Sequence, residues 1–269
     1  MSVPLVEPSR ACAPILAVED VSHAFGGVQA VNGCSFSVPA GAIGALIGPN
    51  GAGKTTLVNL VTGMIRPQHG HVRYLGTDIT NWPPDRVARQ GLQRTFQLSR
   101  EFTKLTVLEN VLVTATGQID ESLWGALFRR RSIRMRERQL VEKARDILTT
   151  FGLDALRNEW AENLSGGQKR LLELARAVMV EPKLLLLDEP MAGVNPALVD
   201  RLEAHIRDLS RQGITFLIVE HNLNVVERLC DLVIVMAQGR TLASGPLSEH
   251  RSNAEVVRAY LGSGAGGVL

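Results

Sequence analysis

Short, mainly apolar runs set between longer stretches of mixed character give this chain its pattern. Ile43–Ile47 reads as a buried strand, and Leu184–Leu187 and Ile214–Val219 as further strands. Asp231–Met236 and Arg240–Ala243 read as further strands around a Gln238-Gly239 turn. At the front, 15–38 reads as short strands of an edge sheet broken at Gly26-Gly27, and His71–Leu75 as a strand closed by Gly76. Pro83-Pro84 interrupts regular structure, Asp85–Gln90 is helix-prone, and Gln97 stands at the end of a strand that follows Gly91. From about Thr106 to Val180 the period turns helical, and helices are again expected from Asn195-Pro196 to Arg211 and over Ala254–Leu261. The expectation is an α/β fold with a mixed sheet, an N-terminal antiparallel β subdomain and an inserted α-helical subdomain. Its predicted bounds are a flexible leader at 1–14, one domain at 15–262 and a disordered tail at 263–269. Within the domain, 15–97 and 178–262 form the core and 98–177 the helical subdomain.

The chemistry begins right after the first apolar run. Gly48-Pro49-Asn50-Gly51-Ala52-Gly53-Lys54-Thr55 fits G-x-x-x-x-G-K-[ST], a phosphate-binding loop between a strand and a helix. Its glycines let the backbone wrap an anion, so that amides through Thr56 and the helix N-terminus face phosphate oxygens. Lys54 supplies a charge to the outer phosphates and Thr55 a hydroxyl for magnesium. Leu184–Leu187 delivers Asp188 and Glu189 to the strand's carboxyl end, the edge where ligands collect in parallel sheets. There Asp188 is expected to hold magnesium and Glu189 to orient or deprotonate the attacking water. His221 follows another such strand and is placed to bond a terminal phosphate or hold the water. Gln97 offers an amide oxygen for magnesium or water. Phe25, ahead of the glycine pair, fits either a core position or a ring on which adenine stacks.

Leu164-Ser165-Gly166-Gly167-Gln168 opens a helix with a capping serine and two glycines, which leaves its first amides open to an anion. One nucleotide hardly needs two such ends. The second either approaches the phosphate loop within the fold or completes a composite site between two copies.

Composition changes this picture little. The 269 residues are 45% hydrophobic, and 29 basic against 27 acidic residues neither demand nor exclude a nucleic-acid or membrane partner. Cys12, Cys34 and Cys230 lack metal-ligand spacing, so reduced thiols in a cytosolic compartment are expected. No signal peptide is read at the front, and no apolar run approaches the ~20 residues of a membrane span. Ser122–Arg138 joins Leu123, Trp124, Leu127 and Phe128 to six arginines. It reads as a solvated helix face with an aromatic anchor, or else as a contact to anionic lipid or an acidic partner.

The phosphate loop, Gln97, LSGGQ at 164–168, LLLLDEP at 184–190 and His221, in that order, resemble the ATP-binding cassette family from about Ile15 to Gly262. The resemblance implies a head-to-tail pair of cassettes, with each ATP held between one chain's phosphate loop and the other's LSGGQ. It also implies Phe25 as the adenine-stacking ring, Gln97 as magnesium and interface sensor, and His221 as a switch. RTFQ at 94–97, LTVLEN at 105–110, AGVNP at 192–196, VEH at 219–221 and VRAYLG at 257–262 look like an ATP-binding subunit of branched-chain amino-acid importers. The implied partners are a second cassette, membrane permease subunits and, indirectly, a solute-binding protein, but not nucleic acid. The implied place is the cytoplasmic face of the membrane, with the helical subdomain receiving a short helix from the permease. Importers of urea or short amides share much of this wording, and a soluble cassette protein uncoupled from transport is the rival of another class. Met191 stands where a smaller residue is more usual.

Overall fold

The computed structural model describes residues 14–95, 102–115, 130–250 and 253–261, except the side chains of 130–134, 254 and 259–261. Gln97, the leader before Pro14, the tail after Leu261 and the aromatic part of 122–129 lie outside the described residues.

Two sheets carry the architecture. Strands β1 (Pro14–Phe25), β2 (Val28–Pro39), β4 (His69–Tyr74) and β5 (Thr77–Asp78) form an antiparallel sheet in the order β2-β1-β4-β5. The other sheet runs β10-β9-β3-β8-β7-β6. Its members are β3 (Ile43–Ile47), β6 (Leu92–Arg94), β7 (Leu184–Asp188), β8 (Thr215–Val219), β9 (Leu232–Ala237) and β10 (Arg240–Gly245). All its neighbours are parallel except β9 and β10, so the sheet is mixed, as expected.

The front strands are long rather than short. β1 continues through the polar pair Glu19-Asp20 because a register shift between Val18 and Val21, with Asp20 at φ 51°, lets the strand bulge without ending. β2 then alternates strictly, burying Cys34, Phe36 and Val38 and exposing Ser35 and Ser37.

The α-helices among the described residues are α1 (Lys54–Val61), α2 (Pro84–Arg89), α3 (Val107–Ala115), α4 (Arg130–Thr150), α5 (Gly166–Met179), α6 (Pro196–Arg211), α7 (Leu223–Leu229), α8 (Leu247–His250) and α9 (Ala254–Leu261). Sequence reading had no expectation of α7 or α8. Pro84 starts α2 where a missing amide costs nothing, and Pro196 starts α6 behind Asn195, whose side chain accepts from Leu198 N at 2.9 Å.

The central strands β3, β7 and β8 are buried at every position, and apolar but for Asp188 and Thr215, because both faces are covered. Leu184 and Leu186 of β7, with Leu217 and Val219 of β8, join the core shared with the antiparallel sheet and α1. Leu185, Leu187, Phe216 and Ile218 point the other way, into a core that continues through α3, α4, α5 and α6. One sheet thus has its two faces anchored to different layers, and its carboxyl edge lies between them.

Candidate functional site

At that edge β3 leads into the phosphate loop, and the loop has little freedom. Gly48 at φ 152° lies so close to β9 that a Cβ there would sit 2.1 Å from the Met236 carbonyl oxygen. At Gly53, φ 97°, a Cβ would lie 2.3 Å from the Ala30 carbonyl oxygen of β2. Only glycine fits such contacts, so the loop is clamped between both sheets. The β9–β10 turn closes the clamp: Gly239 N donates to Ala52 O at 3.0 Å, and Asn32 N to Gly239 O at 2.8 Å.

Lys54 opens α1 with its ammonium buried in the loop, donating to the carbonyls of Gly48 at 2.7 Å and Pro49 at 3.0 Å. Burial pulls its pKa below the ordinary lysine value, against the opposing pull of Glu189 and Asp188. Both carboxylates are therefore felt at the loop. Thr55 lies exposed and Thr56 half-buried on the first turn of α1.

The strand next but one supplies the acids. Asp188 ends β7, is 7% exposed and accepts from Arg94 Nη2 at 2.9 Å. Glu189 follows in the left-handed region at φ 49°, its N–H donating to Val219 O of β8 at 2.9 Å. Such a conformation is uncommon for a residue with a side chain and recurs at functional sites. It turns Glu189 toward the end of β8, where His221 Nε2 lies 2.5 Å from Glu189 Oε1. A carboxylate only accepts, so this contact assigns the proton to Nε2. The structure thus brings Lys54, Asp188, Glu189 and His221 to the ends of β3, β7 and β8.

Phe25 is half exposed at the end of β1, which answers the core reading. His23 meets its ring edge-on, 4.6 Å between centroids, and Gln68 holds the Ala24 backbone in both directions at 2.9 and 3.3 Å.

Ser165 caps α5, as expected, and Gln168 completes a capping box: Gln168 N donates to Ser165 Oγ at 3.3 Å, and Ser165 N to Gln168 Oε1 at 2.8 Å. Gly167 is packed on α6, where a Cβ would lie 2.3 Å from Leu198 Cδ2. Ser165, Gly166, Gly167 and Gln168 border a groove of about 810 Å³ with Ala192 and Asn195, and no phosphate-loop residue lines it.

Two residues beyond the sequence assignments organise this edge. Glu220, 5% exposed, accepts from the amides of Met191 and His221, both at 3.1 Å, and so ties together the segments that follow Glu189 and β8. Burial raises its pKa above the ordinary carboxylate value, and those amides oppose the rise. Arg94 joins Asp188 to Asn59 of α1. For Glu220 the sequence signal is a polar residue directly after the buried strand β8; Arg94, which follows Leu92-Gln93, carries no such signal.

Residues 31–192 match the family model described as ABC transporter. The chain is 43% identical to the "Probable branched-chain amino acid transport ATP-binding protein LivG" of Archaeoglobus fulgidus, over 93% of this chain and 96% of that one. It is 40% identical to the "High-affinity branched-chain amino acid transport ATP-binding protein BraF" of Pseudomonas aeruginosa, over 93% and 98%. Among solved structures, the ADP conformation of MJ1267, an ATP-binding cassette of an ABC transporter, superposes with a TM-score of 0.80 at 40% identity, over 93% and 99%. A nucleotide-free ATP-binding cassette from an ABC transporter gives a TM-score of 0.79 at 38% identity, over 92% and 98%.

Proposed function

The chain belongs to the ABC transporter family, and we propose that it is the peripheral ATP-hydrolysing subunit of an importer of branched-chain amino acids. The observation that carries the ATPase reading is the convergence, at one sheet edge, of a glycine-clamped phosphate loop, Lys54, and the Glu189–His221 pair. The cargo reading is supported by the names of the relatives that match over 93% of the chain.

In this reading the amides of Gly51, Ala52, Gly53, Lys54, Thr55 and Thr56 bind the phosphates, Gly48, Pro49 and Asn50 shape the loop, and Phe25 stacks the adenine. The Lys54 ammonium exchanges its carbonyl partners for phosphate oxygens. Glu189 accepts the proton of the attacking water, and His221 orients it by holding one carboxylate oxygen. Thr55, Asp188 and Gln97 would hold magnesium. They are hard oxygen donors, and the pull of Asp188 and Glu189 on Lys54 suits a cation there. Magnesium, when bound, supplies positive charge to the outer phosphates.

The groove at Ser165–Gln168 holds no phosphate-loop residue, which favours a composite site completed by a second cassette, either this chain or a sibling. Among the described residues no helix is long and apolar enough to cross a membrane. Permease subunits docked on the helical subdomain would provide the spans, with this chain at their cytoplasmic face and a solute-binding protein delivering the cargo.

Uptake of labelled leucine, isoleucine, valine, urea and short amides tests this reading in the native host carrying either the intact chain or Lys54→Ala. Selective loss of the branched-chain amino acids is the expected result. Loss of urea or amide uptake alone overturns the cargo, and unchanged uptake of all of them overturns transport.

A further inference from the structure

Arg94 ends the edge strand β6 with its guanidinium in the protein interior. Its side chain is 11% exposed and that of Asp188 8%. Nη2 donates to Asp188 Oδ2 at 2.9 Å, and Nη1 donates to Asn59 Oδ1 of α1 at 2.5 Å. The next residue is fixed as well, since Thr95 N donates to Leu186 O of β7 at 2.9 Å. A single cation is thereby wedged between the strand that delivers a carboxylate and the helix that closes the phosphate loop.

Packing alone does not require this arrangement. Desolvating a guanidinium and a carboxylate costs several kcal/mol each, and apolar residues of similar volume usually fill such a space at least as well. What the pair adds is direction. Arg94 occupies Oδ2 of Asp188, and the planar fork of arginine fixes the setting of that carboxylate better than a lysine point charge. Its second anchor has a definite place on α1: Asn59 is four residues after Thr55, so the two share one helix face. Whatever holds Asp188 to Asn59 therefore aligns Asp188 with the face that carries the Thr55 hydroxyl.

We propose that Arg94 is a positioning residue for the metal site: bridging Asp188 Oδ2 and Asn59, it sets the Asp188 carboxylate against Thr55. The inference rests on the assignment of magnesium to Thr55 and Asp188 above. It gives the arginine of the 94–97 segment a role separate from that of Gln97.

The test compares the full chain with Arg94→Lys, Asn59→Ala and Asp188→Asn. Two readouts are needed that do not depend on turnover. One is binding of a fluorescent ATP analogue in chelator and across a magnesium titration, and the other is binding of Mn2+ followed by electron paramagnetic resonance. Arg94→Lys is expected to raise the metal concentration at half-saturation about tenfold or more, the usual cost of losing a partner that orients a metal ligand. Asn59→Ala should raise it by a smaller factor. Binding of the nucleotide in chelator should stay at the wild-type level in both.

A wild-type metal midpoint in Arg94→Lys, with only a lower melting temperature, overturns the proposal and leaves Arg94 as a structural staple. If Arg94→Lys no longer binds nucleotide in chelator, its fold is damaged and Asn59→Ala decides, a shifted midpoint supporting the proposal and an unshifted one overturning it. Asp188→Asn separates the premise from the inference. An unchanged midpoint there removes Asp188 from the metal site, and the role of Arg94 with it. A shifted midpoint there beside an unchanged Arg94→Lys overturns only the role of Arg94.

Discussion

Replacing Glu220 with alanine should slow hydrolysis without weakening ATP binding, since the hydrogen bonds of this side chain go to Met191, His221 and Asn222. Its buried carboxylate accepts from Met191 N and His221 N at 3.1 Å each, with Asn222 N more distant at 3.5 Å. Alanine strands the two close donors, at about 1–3 kcal/mol each. Relief of the buried charge, whose cost shows in its raised pKa, offsets part of that loss. A net destabilisation of about 2 kcal/mol follows, which lowers the melting temperature by roughly 4–8 °C in a domain of this size. The larger effect is kinetic. Met191 lies two residues beyond Glu189, and His221 bonds Glu189 directly, so both supports of the Glu189–His221 pair, the proposed catalytic one, lose their anchor together. Misplacement on the order of 1 Å costs about 100-fold in turnover. Steady-state phosphate release should fall by that order while the dissociation constant of a fluorescent ATP analogue stays the same. Glu220→Gln, which keeps one acceptor oxygen, should fall between. Wild-type turnover in a folded Glu220→Ala protein would refute the reasoning, as would an equal loss of nucleotide affinity.

Other expectations follow from the same geometry. Gly53→Ala must move the loop away from the Ala30 carbonyl or leave the left-handed φ of 97°, so ATP-analogue binding should be lost while far-ultraviolet circular dichroism is retained; wild-type affinity would contradict the clamp. His205, its ring tilted against Phe151 at 4.7 Å between centroids, has its pKa lowered by burial and by Arg201, with Asp208 opposing. A folded-state value below the unfolded one means the neutral ring stabilises the fold. That contribution is complete above about pH 6.5 and is lost as the pH falls through the lowered value. His205→Phe should therefore flatten the decline of urea-unfolding stability below pH 6.5, and a slope identical to wild type would refute the assignment.

Much of this site is legible in the sequence because its determinants are local. The phosphate loop announces itself by glycines whose conformations no other residue fits, and the ends of β7 and β8 by polar residues that follow mainly apolar runs. Those runs are readable because both sheet faces are buried, as the alternation of Leu184 and Leu186 against Leu185 and Leu187 between two cores makes plain. The missed features are tertiary. Arg94 meets partners 35 and 94 residues away in sequence, and nothing in its neighbourhood signals that its charge is buried. Helix α7 has its cap, with Asn222 accepting from Asn224 N at 3.0 Å, but seven residues are too few for a visible period. The full length of β1 depends on a bulge that tolerates Glu19-Asp20, which reads locally as a turn. The relation between LSGGQ and the phosphate loop is hidden for another reason, since it is proposed to lie between two chains.

The central claim is that Glu189, held by His221, is the base that activates water at this sheet edge. Glu189→Gln, assayed for ATP-analogue binding and for phosphate release in the same preparation, tests it most directly. The account predicts wild-type nucleotide binding and a fall in hydrolysis on the order of 10²-fold or more. Hydrolysis at the wild-type rate would contradict it.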